Sequence, residues 1–145
     1  LQKLMLKNLH VGFLKHYLGY SQSLMKDLSI ESRIQAYGEQ KLLLQAYRVL
    51  LTGWILGNYK KVVFDLPSLT TYEFNSKLET LYCRRILDDY LNNRESTFEY
   101  IKGAKADIER MQSDLDYLIW YGYLPTSDHL GLKVQLDNWL RDYYI

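Results

Sequence analysis

A stripe of polar side chains interrupts the most apolar stretch of this 145-residue sequence. Its members lie four, three and four residues apart: Lys41, Gln45, Arg48 and Thr52. In an α-helix this spacing places all of them on one side, with Tyr37 one turn earlier. The other residues of 42–56 are almost all apolar, which is typical of a helix that is buried on most of its circumference. The sequence therefore predicts a polar line on one face of a buried helix.

The residue types of this stripe suit an anionic ligand. Arg48 can present a forked pair of donors and Lys41 a point charge, so together they can hold a triphosphate or an RNA phosphate. The alternatives are that the stripe is the solvent face of an ordinary helix, or that Arg48 pairs with an acidic side chain elsewhere. A cation that is buried here needs a partner or water, because an unpaired buried charge is costly. The candidate binding residues are Tyr37, Lys41, Gln45, Arg48 and Thr52.

Charge is distributed unevenly along the chain, although its net value is only +1. Lys and Arg outnumber Asp and Glu nine to three in residues 1–62, and are outnumbered nine to fourteen in residues 63–145. A basic half can attract an anionic ligand such as a nucleotide or an RNA backbone. The alternatives are that the two halves attract each other, or that each is simply a solvated surface.

The known catalytic and metal-binding patterns are absent from the sequence. Its single cysteine, Cys83, has no partner for an internal disulfide, and there is no zinc-ligand spacing, nucleophile motif or phosphate-binding glycine loop. Asp88 and Asp89 are adjacent, so on a helix they diverge by about 100° and make a poor metal pair. The acidic residues that follow are expected to point outward from a helix: Glu95, Glu99, Asp107, Glu109, Asp114 and Asp116. We therefore expect no cofactor and no metal in this chain.

The elements that must position the stripe are predicted to be helices. Helical periodicity is clearest in residues 97–121, which Ser96 would cap. The stripe itself belongs to a long helix predicted over 32–57, weakened locally at Gly38 and Gly53. Further helices are expected over 1–8, 11–28, 72–92 and 130–144. The one strand-like run, 61–66, cannot make a sheet alone. The fold class expected is all-α, a single bundle of five or six helices.

Length and composition set the remaining bounds. A chain of 145 residues fits one helical domain over 1–145 and can bury a substantial core without disulfides or structural metal. No apolar run reaches the ~18 residues of a membrane span, so no membrane partner is expected, and a reducing, cytoplasmic setting is the default. The chain begins with Leu1 rather than Met. That first residue suggests a fragment, a processed chain or missing upstream residues.

Four segments, taken in order, resemble one family. The segment KLLLQAYR at 41–48 resembles the "K…HalR" helix in the C-terminal half of predicted nucleotidyltransferases of the DNA polymerase beta superfamily, a group associated with RNA repair. Residues 18–24, LGYSQSL, resemble its "yGya..ql" segment, and residues 64–67, FDLP, its apolar-Pro junction. Residues 115–128, ending in YLPTSD, resemble its "l..LP..pd" signature.

The resemblance implies the helical, substrate-binding portion of a nucleotidyltransferase. It implies that Lys41 and Arg48 contact nucleoside triphosphate or RNA, while Gln45 stands where the family usually has His. The family's catalytic Gly-Ser turn and paired aspartates, which hold Mg²⁺ for attack on an α-phosphate, belong to an N-terminal domain missing from this sequence. The chain would then not catalyse by itself, and would need that domain or a partner chain.

A different class of function stays open. The bundle would then be a stand-alone helical interaction module, such as an inhibitor, an adaptor or an oligomer subunit. Such a role would suit an exposed aromatic surface, although the same side chains could close the bundle's own core. Its residues are Trp120, Tyr121, Tyr123, Trp139, Tyr143 and Tyr144.

Overall fold

Helices make up 83% of the residues that the computed structural model describes, which are 11–71 and 80–122. In chain order they are α1 (Val11–Asp27), α2 (Glu31–Tyr37), α3 (Glu39–Tyr59), α4 (Leu66–Thr71), α5 (Leu81–Leu91) and α6 (Phe98–Tyr121). The predicted all-α fold is confirmed. The helices expected over 1–8 and 130–144 lie outside the described residues, as does most of the first half of the one expected over 72–92.

The central element is α3, which packs against each of the other five described helices. Apolar side chains project from nearly all sides of α3 and are covered by the surrounding helices. Among these buried side chains are Leu43, Tyr47, Leu50 and Ile55. A helix with so wide an apolar surface gains most by being surrounded, since burial is favourable in proportion to the apolar area removed from water. The sequence pattern of α3 thus determines its place at the centre of the bundle.

The first helix runs antiparallel to α3 and lies very close to it. A Cβ atom added to Gly53 would lie 3.0 Å from the Cβ of Tyr17, so the absence of a side chain at Gly53 permits this approach. One turn further along α3, Gly57 lies against Leu14 of α1 and Leu118 of α6. Because α1 and α3 are antiparallel, the C-terminal end of α1 lies beside the N-terminal end of α3.

The long helix predicted over 32–57 is in fact two helices. The chain breaks at Gly38, whose φ of 85° lies in the left-handed region that glycine adopts at little cost. The amide of Gly38 still donates to the carbonyl of Ile34, which ends α2, and α3 starts with the next residue. The C-terminal boundary also differs from the prediction, because α3 continues past Gly57 to Tyr59. Lys60, which follows, takes a left-handed conformation and ends the helix.

One smaller prediction, the residue that caps the last described helix, is corrected. The cap of α6 is Thr97 rather than Ser96, and the side-chain oxygen of Thr97 accepts from the amide of Tyr100. The strand-like run 61–66 forms no strand, because residues 61–65 belong to the connection between α3 and α4 and Leu66 is the first residue of α4. None of the described helices is both long and apolar enough to cross a membrane.

Candidate functional site

Three of the five candidate binding residues line one cleft between α1 and α3. Tyr37, Lys41 and Gln45 form one side of a space of about 190 Å³. The opposite wall comes from α1, and the remaining lining residues are Tyr20, Leu24, Asp27 and Leu42. We call this space the α1–α3 cleft.

Local sequence spacing explains why these side chains meet. Tyr20, Leu24 and Asp27 are four and three residues apart, so they share the face of α1 that looks towards α3. Lys41 and Gln45 stand one turn apart on α3. The bend at Gly38 separates α2 from α3 and leaves the Tyr37 ring, 47% exposed, at the edge of the cleft.

Two opposite charges occupy the same end of the cleft. Asp27 is the last residue of α1 and Lys41 the third of α3, so the antiparallel arrangement brings both to one end. No side-chain hydrogen bond or ion pair joins either of them to any residue within 11–71 and 80–122. A carboxylate at a helix C-terminus is also disfavoured by the helix dipole. These two charges are therefore available to a ligand and do little for the fold.

The rest of the cleft is apolar and aromatic. Leu24 and Leu42 belong to the buried core and form its floor. The Tyr20 ring is partly buried and contacts the His16 ring edge-on, with 6.3 Å between centroids. An apolar floor, two phenol rings and a few polar groups are the usual composition of a small-molecule site.

The other two candidate residues do not line this cleft. Thr52 is fully buried, and its hydroxyl donates to the carbonyl of Arg48 one turn earlier at 2.7 Å. The Nε atom of Arg48 is buried as well. The pKa of the Asp65 carboxyl is lowered, first by a hydrogen bond from Ser68 and to a smaller extent by the Arg48 charge. The charge of Arg48 is therefore felt by Asp65, an acidic residue of the negative half.

A buried polar group next to the stripe was missed by the sequence analysis. Asp107, predicted to point outward, is only 6% exposed and accepts a hydrogen bond from the Tyr47 hydroxyl at 3.1 Å. Arg110 donates to its other oxygen at 2.9 Å. Burial first, and then the Asp107 charge, raises the pKa of Tyr47 far above its usual range. Helical periodicity could have predicted this burial. Asp107 lies three residues after Ala104 and four before Met111, on the buried face of α6.

Cys83 lies close to this buried group. Its thiol is fully buried, and burial, opposed by Arg48 and Arg84, raises its pKa to about 12. At neutral pH the side chain is a protonated thiol in an apolar setting, which is the state of an unreactive structural cysteine. The Tyr47–Asp107 pair and Cys83 therefore belong to the core.

A second cleft lies on the other side of Tyr37 and Lys41 and measures about 400 Å³. Three of its polar lining residues, Glu39, Gln40 and Ser96, already make contacts within the protein. The Gln40 amide donates to the Arg94 carbonyl at 2.8 Å and to the Ser96 hydroxyl at 2.9 Å, while Glu39 pairs with Lys105 at 3.8 Å. These contacts tie the start of α3 to the connection between α5 and α6.

The adjacent carboxylates of α5 serve the same connection. Asp88 and Asp89 both pair with Arg94, and Asp89 also accepts from Ser96 at 2.9 Å. Within the described ranges no group of three His, Cys, Asp or Glu side chains is placed to hold a metal ion.

Comparison with known proteins adds no relative to this description. Neither a protein-family model, nor a curated protein, nor a solved structure matches the chain. The likeness of residues 41–48 to the nucleotidyltransferase helix therefore stays a prediction from the residues themselves.

Proposed function

We propose that this bundle binds a nucleotide in the α1–α3 cleft, as the substrate-binding helical portion of a nucleotidyltransferase that does not catalyse by itself. One observation carries the proposal. Lys41, a cation that pairs with no other described side chain, stands at the end of an apolar cleft flanked by two tyrosine rings. An exposed cation beside an apolar, aromatic surface matches the two chemically different parts of a nucleotide, its phosphates and its base.

The volume of the cleft limits how much of a nucleotide it can enclose. At about 190 Å³ it is smaller than the roughly 300–1,000 Å³ of sites that enclose a whole ligand. In the proposed arrangement the base lies on Leu24 and Leu42 against the phenol rings, and the Gln45 amide serves as donor or acceptor for its edge. The phosphates extend past Lys41 into solvent.

Lys41 and Arg48 have separate roles in this proposal. Lys41 contacts phosphate directly, while Arg48, with its buried Nε atom, supports the core from which the helix projects. The assignment to a nucleotidyltransferase rests on the likeness of residues 41–48, 18–24, 64–67 and 115–128 to that family. By the same likeness, Mg²⁺ and the carboxylates that hold it would belong to another domain or a partner chain.

The alternative, a helical protein interaction module, has one observation in its favour. Three aromatic side chains at the end of α6 are largely exposed, with Trp120 at 73%. Tyr117 and Tyr121 lie together, their ring centroids 4.7 Å apart. Aromatic side chains are enriched at protein interfaces, so exposed rings in a group are typical of a binding surface.

Titration calorimetry with the four ribonucleoside triphosphates and a short single-stranded RNA tests the proposal. We expect the wild type to bind at least one of these ligands, and Lys41→Ala to weaken that binding roughly tenfold, because it removes a charge-assisted phosphate contact. Lys102→Ala is the matched control, since Lys102 is an exposed lysine of α6 that does not line the cleft. A folded wild type that binds none of these ligands would refute nucleotide binding and favour the interaction module. Equal affinity in Lys41→Ala would refute the phosphate contact of Lys41.

A further inference from the structure

The carboxylate of Asp27 is the feature of the cleft that nucleotide binding alone does not explain. It lies at the same end as Lys41, where its negative charge opposes the approach of a phosphate. It forms no side-chain hydrogen bond or ion pair with any residue of 11–71 or 80–122. It also ends α1, where a carboxylate is disfavoured by the helix dipole. Its position therefore favours neither the fold nor an anion.

A carboxylate acts only as a hydrogen-bond acceptor, so its ligand partner must present donors. In a nucleotide the donors closest to the phosphates are the hydroxyl groups of the ribose. A carboxylate that accepts from the ribose hydroxyls is an established way to recognise a ribonucleotide. The 2′-hydroxyl is also the group by which a protein distinguishes RNA from DNA.

We infer that the α1–α3 cleft selects ribose over deoxyribose, with the Asp27 carboxylate accepting hydrogen bonds from the sugar hydroxyls while Lys41 contacts the adjacent phosphate. This inference rests on the proposed nucleotide binding and narrows it to ribonucleotides. It explains why two opposite charges share one end of the cleft without pairing with each other. The sugar lies between them, and the base extends along the apolar floor towards Gln45.

The test compares each ribonucleoside triphosphate with its 2′-deoxy and 3′-deoxy forms, by calorimetry on the wild-type chain. Removing a hydroxyl that donates to a carboxylate should weaken binding about tenfold or more. Asp27→Asn should bring the ribo and deoxy affinities close together, and should leave deoxynucleotide binding unchanged or tighter because a negative charge is removed. Asp116→Asn, which removes an exposed carboxylate of α6 outside the cleft, is the charge-matched control and should keep the wild-type preference.

The possible outcomes separately test ribose selection, the role of Asp27 and nucleotide binding itself. A wild type that binds ribo and deoxy forms equally overturns the ribose inference and leaves nucleotide binding standing. A ribose preference that persists in folded Asp27→Asn overturns the role of Asp27. Absence of binding by every nucleotide overturns the proposed function and the inference together. The wild-type ratio does not depend on any variant, so the inference stays testable if Asp27→Asn fails to fold.

Discussion

The two halves of the polar stripe on α3 differ in their surroundings, although their spacing along the helix is the same. Lys41 and Gln45 face the α1–α3 cleft, whereas Arg48 and Thr52 sit where the helix meets the core. Near the second half, the fold adds further buried polar groups, Tyr47 and Asp107. Helical spacing thus predicts which residues share a face, but the neighbouring helices decide whether that face meets solvent or the interior.

This difference assigns separate roles to the two halves. In the buried half every polar group has to be satisfied within the protein, since an unsatisfied buried group costs free energy. The Thr52 hydroxyl donates to its own helix and the Tyr47 hydroxyl to Asp107. In the cleft half, Lys41 makes no such contact with the described residues. Changes in the buried half should therefore act on stability, and changes in the cleft half on binding.

The largest expected effect is the loss of stability when Tyr47, next to the buried half of the stripe, is changed. Tyr47→Ala should lower the free energy of unfolding by about 3–5 kcal/mol, because a fully buried aromatic ring leaves a cavity. Tyr47→Phe keeps the ring and removes only the hydroxyl, so it should cost about 1–3 kcal/mol by leaving Asp107 without that donor. Urea denaturation of both variants separates packing from hydrogen bonding. Equal losses in the two variants would contradict the assignment.

A pH-dependent effect should follow from Cys83. Burial raises the pKa of its thiol from 9.0 to about 12, so the folded state keeps the proton that the unfolded chain loses first. Its stabilising contribution is complete below pH 9 and declines as the pH rises from about 9 towards 12. Urea denaturation at pH 8 and pH 10 should show a smaller loss of stability in Cys83→Ala than in the wild type. An identical loss in both proteins would contradict the burial of the thiol.

Much of the fold was predictable because the helices follow from the local spacing of apolar residues along the sequence. The periodicity of α1 and α6 and the wide apolar surface of α3 indicated a helical bundle with α3 inside. The break at Gly38 was harder to predict, since glycine within a helix is only weakly unfavourable and its presence alone does not show that the backbone turns left-handed there. The position of Asp107 was missed because an acidic residue is ordinarily solvated, and only the tertiary contact with Tyr47 makes its burial acceptable.

The candidate site was predictable in part for a related reason. Spacing grouped Lys41 and Gln45 correctly on one side of α3, whereas Tyr37 lines the same cleft from the end of α2. Spacing could not separate them from Arg48 and Thr52, because that division depends on which helices pack beside α3. The contribution of Asp27 was equally hidden, since it comes from α1 and reaches the cleft only through the antiparallel packing against Gly53.

The division of the stripe is tested most directly by a paired titration of Lys41→Ala and Thr52→Val with the ribonucleoside triphosphate that the wild type binds most tightly. Each variant is also unfolded in urea. Lys41→Ala should change stability by no more than about 0.5 kcal/mol and weaken binding roughly tenfold. Thr52→Val should keep the wild-type affinity and change only stability, by about 1 kcal/mol. The opposite pattern, with binding lost in folded Thr52→Val and kept in Lys41→Ala, would contradict the account.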